Sequence, residues 1–340
     1  MTRGWKLTAL ATALLLGGVA AARAQAQVSP VQRLASYPGA VGKPIEDKLS
    51  FGSPELLDRT LKSNLEYGQD VRPISASPDN PLVPQVRAML KALPPDIHRL
   101  ASRYVVALFL LEEDYGTGVT EGVQDEQGRW RYTYMALNLT ALTRTANAWA
   151  EWKENSAFRP APGFRVKMTL EAPAGDTLEN ALRFIFLHEL GHAVALAQGI
   201  HGFWDDEGLP AATRDSPYVR ISWQPALDRS RMDSRWSGRF PRLAQIKFYS
   251  FAKAPLLLSD AEAVYRALAQ TDFPSLYGAS NLYDDFAEAF AIYVHTKLQG
   301  RPYEVEVLEG DQSRLRYSSC IVTGGCPEKV KAVEAALAAK

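Results

Sequence analysis

The sequence predicts an α+β fold, on three observations: strand-like apolar segments come first, a long capped helix follows them, and a second, largely apolar helix lies near residue 290. Residues 101–111 (ASRYVVALFLL) are apolar and partly β-branched, as a buried strand is. Residues 130–142 (WRYTYMALNLTAL) partly alternate aromatic and polar positions after the turn-rich Asp125-Glu126-Gln127-Gly128. Residues 164–170 (FRVKMTL) alternate more cleanly, so a small mixed sheet is expected ahead of the long helix.

That helix is bounded by Asp176, with Glu179 three residues on as an acidic capping box, and by Gly199 at the C′ position. Leu178, Leu182, Ile185, Leu190, Val194 and Leu196 spread apolar surface around it, so it should be largely buried. A second helix is expected over residues 282–298. Between the two, residues 200–270 read as loop-like, because Pro210, Pro217, Pro225, Pro241 and Pro255 interrupt any long helix.

The chain ends carry other signals. Arg3 and Lys6 precede an apolar run from Leu7 to Ala22, followed by the small-residue pattern Ala22-Arg23-Ala24-Gln25-Ala26. Residues 1–26 therefore read as a secretory signal peptide, cleaved after Ala24 or Ala26, and the protein is expected to be secreted or periplasmic. No later stretch is apolar and long enough to span a bilayer. Residues 27–95, rich in Pro, Ser and Asp with helical patches such as residues 54–67, look like an extended or loosely packed N-terminal arm. Residues 96–340 would form the main domain, with 200–270 as an insertion.

Signal cleavage removes three of 38 basic residues (Arg3, Lys6, Arg23) and none of the 38 acidic ones, leaving a net charge of −3. That balance gives no electrostatic case for nucleic acid or an anionic membrane surface. The two cysteines, Cys320 and Cys326, are placed for a disulfide in an oxidising compartment and lack the spacing and nearby histidines of a zinc knuckle.

The long helix carries His188-Glu189-Leu190-Gly191-His192. Residues four apart project from one face of a helix, so His188 and His192 can each offer an imidazole nitrogen to one ion, with tetrahedral zinc the usual occupant. Glu189 is placed to act as general base toward a metal-activated water. Gly191 lets another segment approach closely at the metal level. A third protein ligand is needed to leave one position open. The metzincin pattern fails, because it would need Gly at Ala195 and His at Gln198. His201 lies beyond the helix end and reads as a surface residue.

The better candidates are Asp284 and Glu288, four apart on a helix that Phe286, Ala287, Ala289, Phe290 and Ala291 leave with little polar surface. A buried carboxylate pair wants a cation. One carboxylate could bind the metal and the other accept the ring N–H of a ligating histidine. Asp285 points elsewhere, by about 100° per residue. His295 is two to three turns on and reads as structural or solvent-facing.

The stretch Tyr277-Gly278-Ala279-Ser280-Asn281-Leu282-Tyr283-Asp284-Asp285-Phe286-Ala287-Glu288-Ala289-Phe290 resembles the corresponding part of the anthrax lethal factor catalytic domain family, which pairs HExxH with a later helix bearing FAEAF. The resemblance covers HELGH and about fifteen residues around FAEAF. It implies a zincin-like metallopeptidase fold, one zinc ion, Asp284 as third ligand, Glu288 behind the ligands, and Tyr277 assisting at the oxyanion. Two departures stand out. The family's third ligand is Glu, so the shorter Asp284 requires the second helix to come closer by about one methylene, roughly 1.5 Å; otherwise Glu288 takes the ligand position. His192 and Asp284 are also further apart in sequence than is usual in the family.

The expected activity is thus hydrolysis of peptide or protein substrates, with an edge strand binding the substrate by β-augmentation. A non-catalytic zinc-containing binding or scaffold protein, and a zinc hydrolase of cell-wall peptides, are the competing readings.

Overall fold

The computed structural model describes residues 28–66, 68–203 and 209–339. The signal-peptide reading and the Tyr67 end of the first helical patch lie outside these residues. The described chain is mixed α and β, and no helix in it is long and apolar enough to cross a membrane.

In order, the elements are β1 (Leu49–Phe51), α1 (Pro54–Glu66), β2 (Ile74–Ser75), α2 (Leu82–Lys91), α3 (Pro95–Tyr104), β3 (Val105–Glu112), β4 (Gly118–Gln124), β5 (Trp130–Asn138), α4 (Ala146–Asn155), β6 (Phe158–Arg159), β7 (Phe164–Thr169) and α5 (Leu178–Ala197). There follow α6 (Ala211–Arg214), α7 (Val219–Ser222), β8 (Trp223–Pro225), β9 (Met232–Ser234), β10 (Leu256–Leu257), α8 (Ala261–Leu268) and α9 (Leu282–Tyr293). A π-turn (Val294–Leu298) extends α9, and β11 (Glu304–Glu309), β12 (Gln312–Ser318), α10 (Cys320–Thr323) and α11 (Pro327–Ala338) complete the chain.

The principal sheet runs β1-β3-β5-β4, with β2 also paired to β3. β1, β3 and β5 are mutually parallel, whereas β4 returns antiparallel along β5 and ends the order. β3 reads as an unbroken apolar run because both its faces are covered. Val105, Leu108 and Leu110 join the main core under α5, while Val106, Phe109 and Leu111 pack with Leu56 and Val31 on the far face.

Three expectations are corrected here. Residues 101–104 belong to α3 rather than to the strand: Pro95 at the first turn starts a helix whose buried face is Ile97, Leu100, Ala101 and Tyr104. β7 sits in a separate antiparallel sheet, β12-β11-β7, rather than beside β3 and β5. Residues 28–95 are not loosely packed, since β1 pairs with β3 and Ile45, Val86, Met89 and Leu90 are buried in the main core.

α5 crosses β4 and β5 and packs against α9 and α4. Its N-cap is Thr177, whose side chain accepts from the Asn180 N–H, not Asp176. Asp176 instead accepts from the Asn147 N–H at 2.8 Å, in the first turn of α4. At the other end Gly199 has φ 67°, and Gly199 and Ile200 return N–H groups to Leu196 and Ala195, the glycine-terminated stop the sequence suggests. Cys320 and Cys326 form the disulfide, with sulfurs 2.11 Å apart.

Candidate metal centre

α5 and α9 can approach closely because Gly191 faces Ala287: a Cβ on Gly191 would lie 2.7 Å from the Ala287 Cα. That contact brings Asp284, one turn before Ala287, up to the two histidines. His188 Nε2 and His192 Nε2 are 3.2 Å apart, and Asp284 Oδ1 lies 3.4 Å from the first and 3.3 Å from the second. A tetrahedral ion with ligand bonds of about 2.0–2.1 Å spaces its ligand atoms about 3.3 Å apart, so two imidazoles and one carboxylate here fit three corners of such a site. Among the described residues these three form the group able to hold a metal ion.

Asp284 is the carboxylate in the triangle, and Glu288 stands behind it. Glu288 Oε1 is 3.1 Å from His188 Nδ1, close but off the hydrogen-bond axis, and 3.1 Å from Lys153 Nζ. Its Oε2 accepts from Ser275 Oγ at 2.6 Å. Asp284 is fixed by Asn281, which caps α9 by accepting from the Tyr283 and Asp284 N–H groups and donates its Nδ2 to Asp284 Oδ2. Burial alone would lower the His188 imidazole, but the carboxylates of Asp284, Glu288 and Glu189 outweigh it and raise the ring to about 10. Burial works in the opposite sense on Asp284, and the two histidines overcome it to hold that carboxyl below its usual range.

Glu189 is held against the edge strand. Thr120 Oγ1 donates to Glu189 Oε2 at 2.7 Å, and a Cβ on Gly118 would fall 3.0 Å from Oε1. The bond from the Asn138 N–H to the Thr117 carbonyl sets the parity of β4. Thr117, Val119 and Glu121 turn their backbone groups to β5, leaving those of Gly118 and Thr120 directed to the sheet edge.

The centre lies in a cleft of about 740 Å³. One wall is α1 and the turn before β4, including Arg59, Asn64 and Asp114; the other is aromatic, with Trp149, Phe248, Tyr249 and Tyr277. The Tyr277 ring centre is 5.5 Å from that of His188 and 4.8 Å from that of Phe248. Burial, reinforced by the charge of Asp284, pushes the phenols of both Tyr277 and Tyr249 up, so each remains a proton donor. Tyr249 and Phe251 have φ of 58° and 46°, a region aromatic residues seldom occupy. Their segment is pinned by Ser156, whose Oγ accepts from the Tyr249 N–H at 2.8 Å and whose carbonyl accepts from Ser250 and Phe251. The 200–270 region thus contributes residues 246–250 to the cleft wall.

Other sequence candidates fall elsewhere. Asp285 points away, into a buried cluster with Lys329, Trp223 and Tyr218. His295 is structural, fully buried with Nε2 2.8 Å from the Leu170 carbonyl. His201 is corrected: it is 2% exposed, with its ring edge-on to Tyr283 at 4.9 Å and Nδ1 2.7 Å from the Gly202 carbonyl. Burial lowers that imidazole to about 4. Sequence reasoning missed Thr120, Lys153, Ser275, Tyr249 and Asn281; of these only Asn281 had a legible signal, as an Asn just before an apolar helix.

Comparison with known proteins finds no matching family model, no matching curated protein and no matching solved structure.

Proposed function

We propose that the chain is an exported zinc metallopeptidase that hydrolyses peptide bonds, with His188, His192 and Asp284 as metal ligands and Glu189 as general base. The observation that carries this reading is the 3.2–3.4 Å triangle of two Nε2 atoms and one Oδ1, opening on a cleft that Glu189 also lines. Two imidazoles and a carboxylate suit zinc and leave a fourth position for chemistry. When bound, such an ion supplies Lewis-acid activation of a water and of the scissile carbonyl.

The protein's own groups do the rest. Thr120 holds one oxygen of Glu189, and Gly118 leaves the approach to the other clear of a side chain, so Oε1 is the oxygen that accepts the proton of the attacking water. The Tyr277 phenol, kept protonated by its surroundings, donates to the developing oxyanion or to the leaving amine. The edge-facing backbone groups of Gly118 and Thr120 pair with an extended substrate strand laid along β4. The export part of the proposal is supported by the sequence pattern of residues 1–26, and the Cys320–Cys326 disulfide accords with it.

The anthrax lethal factor resemblance supports the same assignment, and the Gly191–Ala287 contact meets the closer approach that the shorter Asp284 demands. Intact Glu189 in the cleft favours an enzyme over a scaffold, since a purely structural site needs no base.

The test is Glu189→Gln. This variant is expected to bind one zinc with wild-type affinity and to lose hydrolysis of a casein or peptide-library substrate by several orders of magnitude. Full activity in that variant sinks the mechanism.

A further inference from the structure

We infer that Lys153 is a positioning residue of the metal centre, acting on the ligand His188 through Glu288 and on Tyr277 through its ring face. The inference rests on the metal-site half of the reading above and not on the identity of the substrate.

Lys153 lies near the end of α4, the only one of these groups carried by that helix, and its ammonium is almost wholly withdrawn from solvent: 5% of the side chain is exposed, against 1% for Glu288. The four groups close a circuit. Lys153 Nζ is 3.1 Å from Glu288 Oε1, the same oxygen is 3.1 Å from His188 Nδ1, the His188 ring is 5.5 Å from Tyr277, and the Tyr277 ring centre is 4.4 Å from Lys153 Nζ. One carboxylate oxygen therefore serves both a cation and the far side of a metal-ligating imidazole.

That arrangement has consequences beyond neutralising a buried acid. A histidine ligand binds through Nε2 in a useful direction only if something on its Nδ1 side fixes the ring and its tautomer. Glu288 is the group at that position, and Ser275 Oγ together with Lys153 Nζ fixes where its two oxygens lie. Without the ammonium, Glu288 Oε1 loses its cationic partner, and the hydrogen bond from Ser275 Oγ to the other oxygen is left to orient the carboxylate. A carboxylate drawn toward Ser275 no longer stands at His188 Nδ1. The same ammonium sits over the Tyr277 ring, where attraction to the π-face favours the position that keeps Tyr277 beside His188. A lone structural ion pair would need neither the shared oxygen nor the tyrosine.

The experiment is a double-variant cycle read by zinc affinity in chelator competition, supported by the visible spectrum of the cobalt-substituted protein. Lys153→Met is expected to weaken zinc binding tenfold or more and to alter the cobalt spectrum, with Lys153→Arg recovering most of the loss. Glu288→Gln should weaken it similarly. The decisive variant is Lys153→Met combined with Glu288→Gln, which removes both buried charges and so leaves no unpaired ion. If Lys153 acts through Glu288, the double variant binds zinc no worse than Glu288→Gln alone and does not regain wild-type affinity. Wild-type affinity in folded Lys153→Met, restoration of affinity in the double variant, or strictly additive losses would overturn the proposal. These outcomes differ from failure of the metal reading itself, in which the wild-type protein binds no zinc.

Discussion

Gly191 and Ala287 meet backbone to backbone at the level of the candidate metal centre, with no room for a side chain between α5 and α9. The separation of these two helices sets how far Asp284 reaches, and a carboxylate one methylene shorter than glutamate tolerates little retreat.

Gly191→Ala is therefore expected to force the helices apart. The obstruction is backbone rather than a flexible side-chain end, so overpacking should cost about 1–3 kcal/mol. Zinc affinity should fall by about tenfold or more as Asp284 withdraws. Thermal melting and chelator competition measure the two effects. Unchanged zinc affinity would show that the helix contact does not position the third ligand.

Metal binding should release protons. The carboxylates around His188 raise its imidazole to about 10 against the opposing effect of burial, so near neutral pH the metal-free ring carries a proton that zinc must displace. Zinc affinity is expected to climb with pH through the neutral range. Calorimetry in buffers of different ionisation enthalpy should register at least one proton released per zinc. The sign for folding is the reverse: His188 is raised above its ordinary 6.5, so its contribution to metal-free stability is present below that value and lost as pH rises through about 10. Binding without proton release would contradict the charge arrangement.

Tyr277→Phe keeps the ring that packs on Phe248 and removes only the hydroxyl. Loss of one oxyanion donor typically costs about 10²–10³ in kcat. Such a drop is expected, with zinc content and folding unchanged. A variant that kept wild-type kcat would reassign Tyr277 to packing and turn attention to Tyr249, its neighbour on the aromatic wall of the cleft.

What the sequence made legible follows from the range of the interactions. His188, Glu189 and His192 were readable because one helical turn fixes their geometry, and Asp284 and Glu288 because the same spacing recurs on an apolar helix. Which of that pair joins the triangle was not readable: it depends on how α9 docks on α5, and Gly191 carried only a hint of it. Lys153 stands 135 residues from Glu288, and Thr120 stands 69 from Glu189, so no local pattern announces either contact. β4 escaped notice because Gly118 and Gly122 dilute its strand character, although those glycines make room for Glu189 and for Phe203. Residues 101–104 looked like strand because apolarity alone does not separate a buried helix end from a buried strand.

The central claim is that this protein is a zinc-dependent peptidase, and the most direct test is mass-spectrometric analysis of a peptide library incubated with the purified protein, zinc-loaded or stripped by chelator. Cleavage of peptide bonds by the loaded protein, abolished by the chelator and restored by added zinc, is the predicted result. Stoichiometric zinc with no cleavage, or cleavage that survives complete removal of metal, would contradict it.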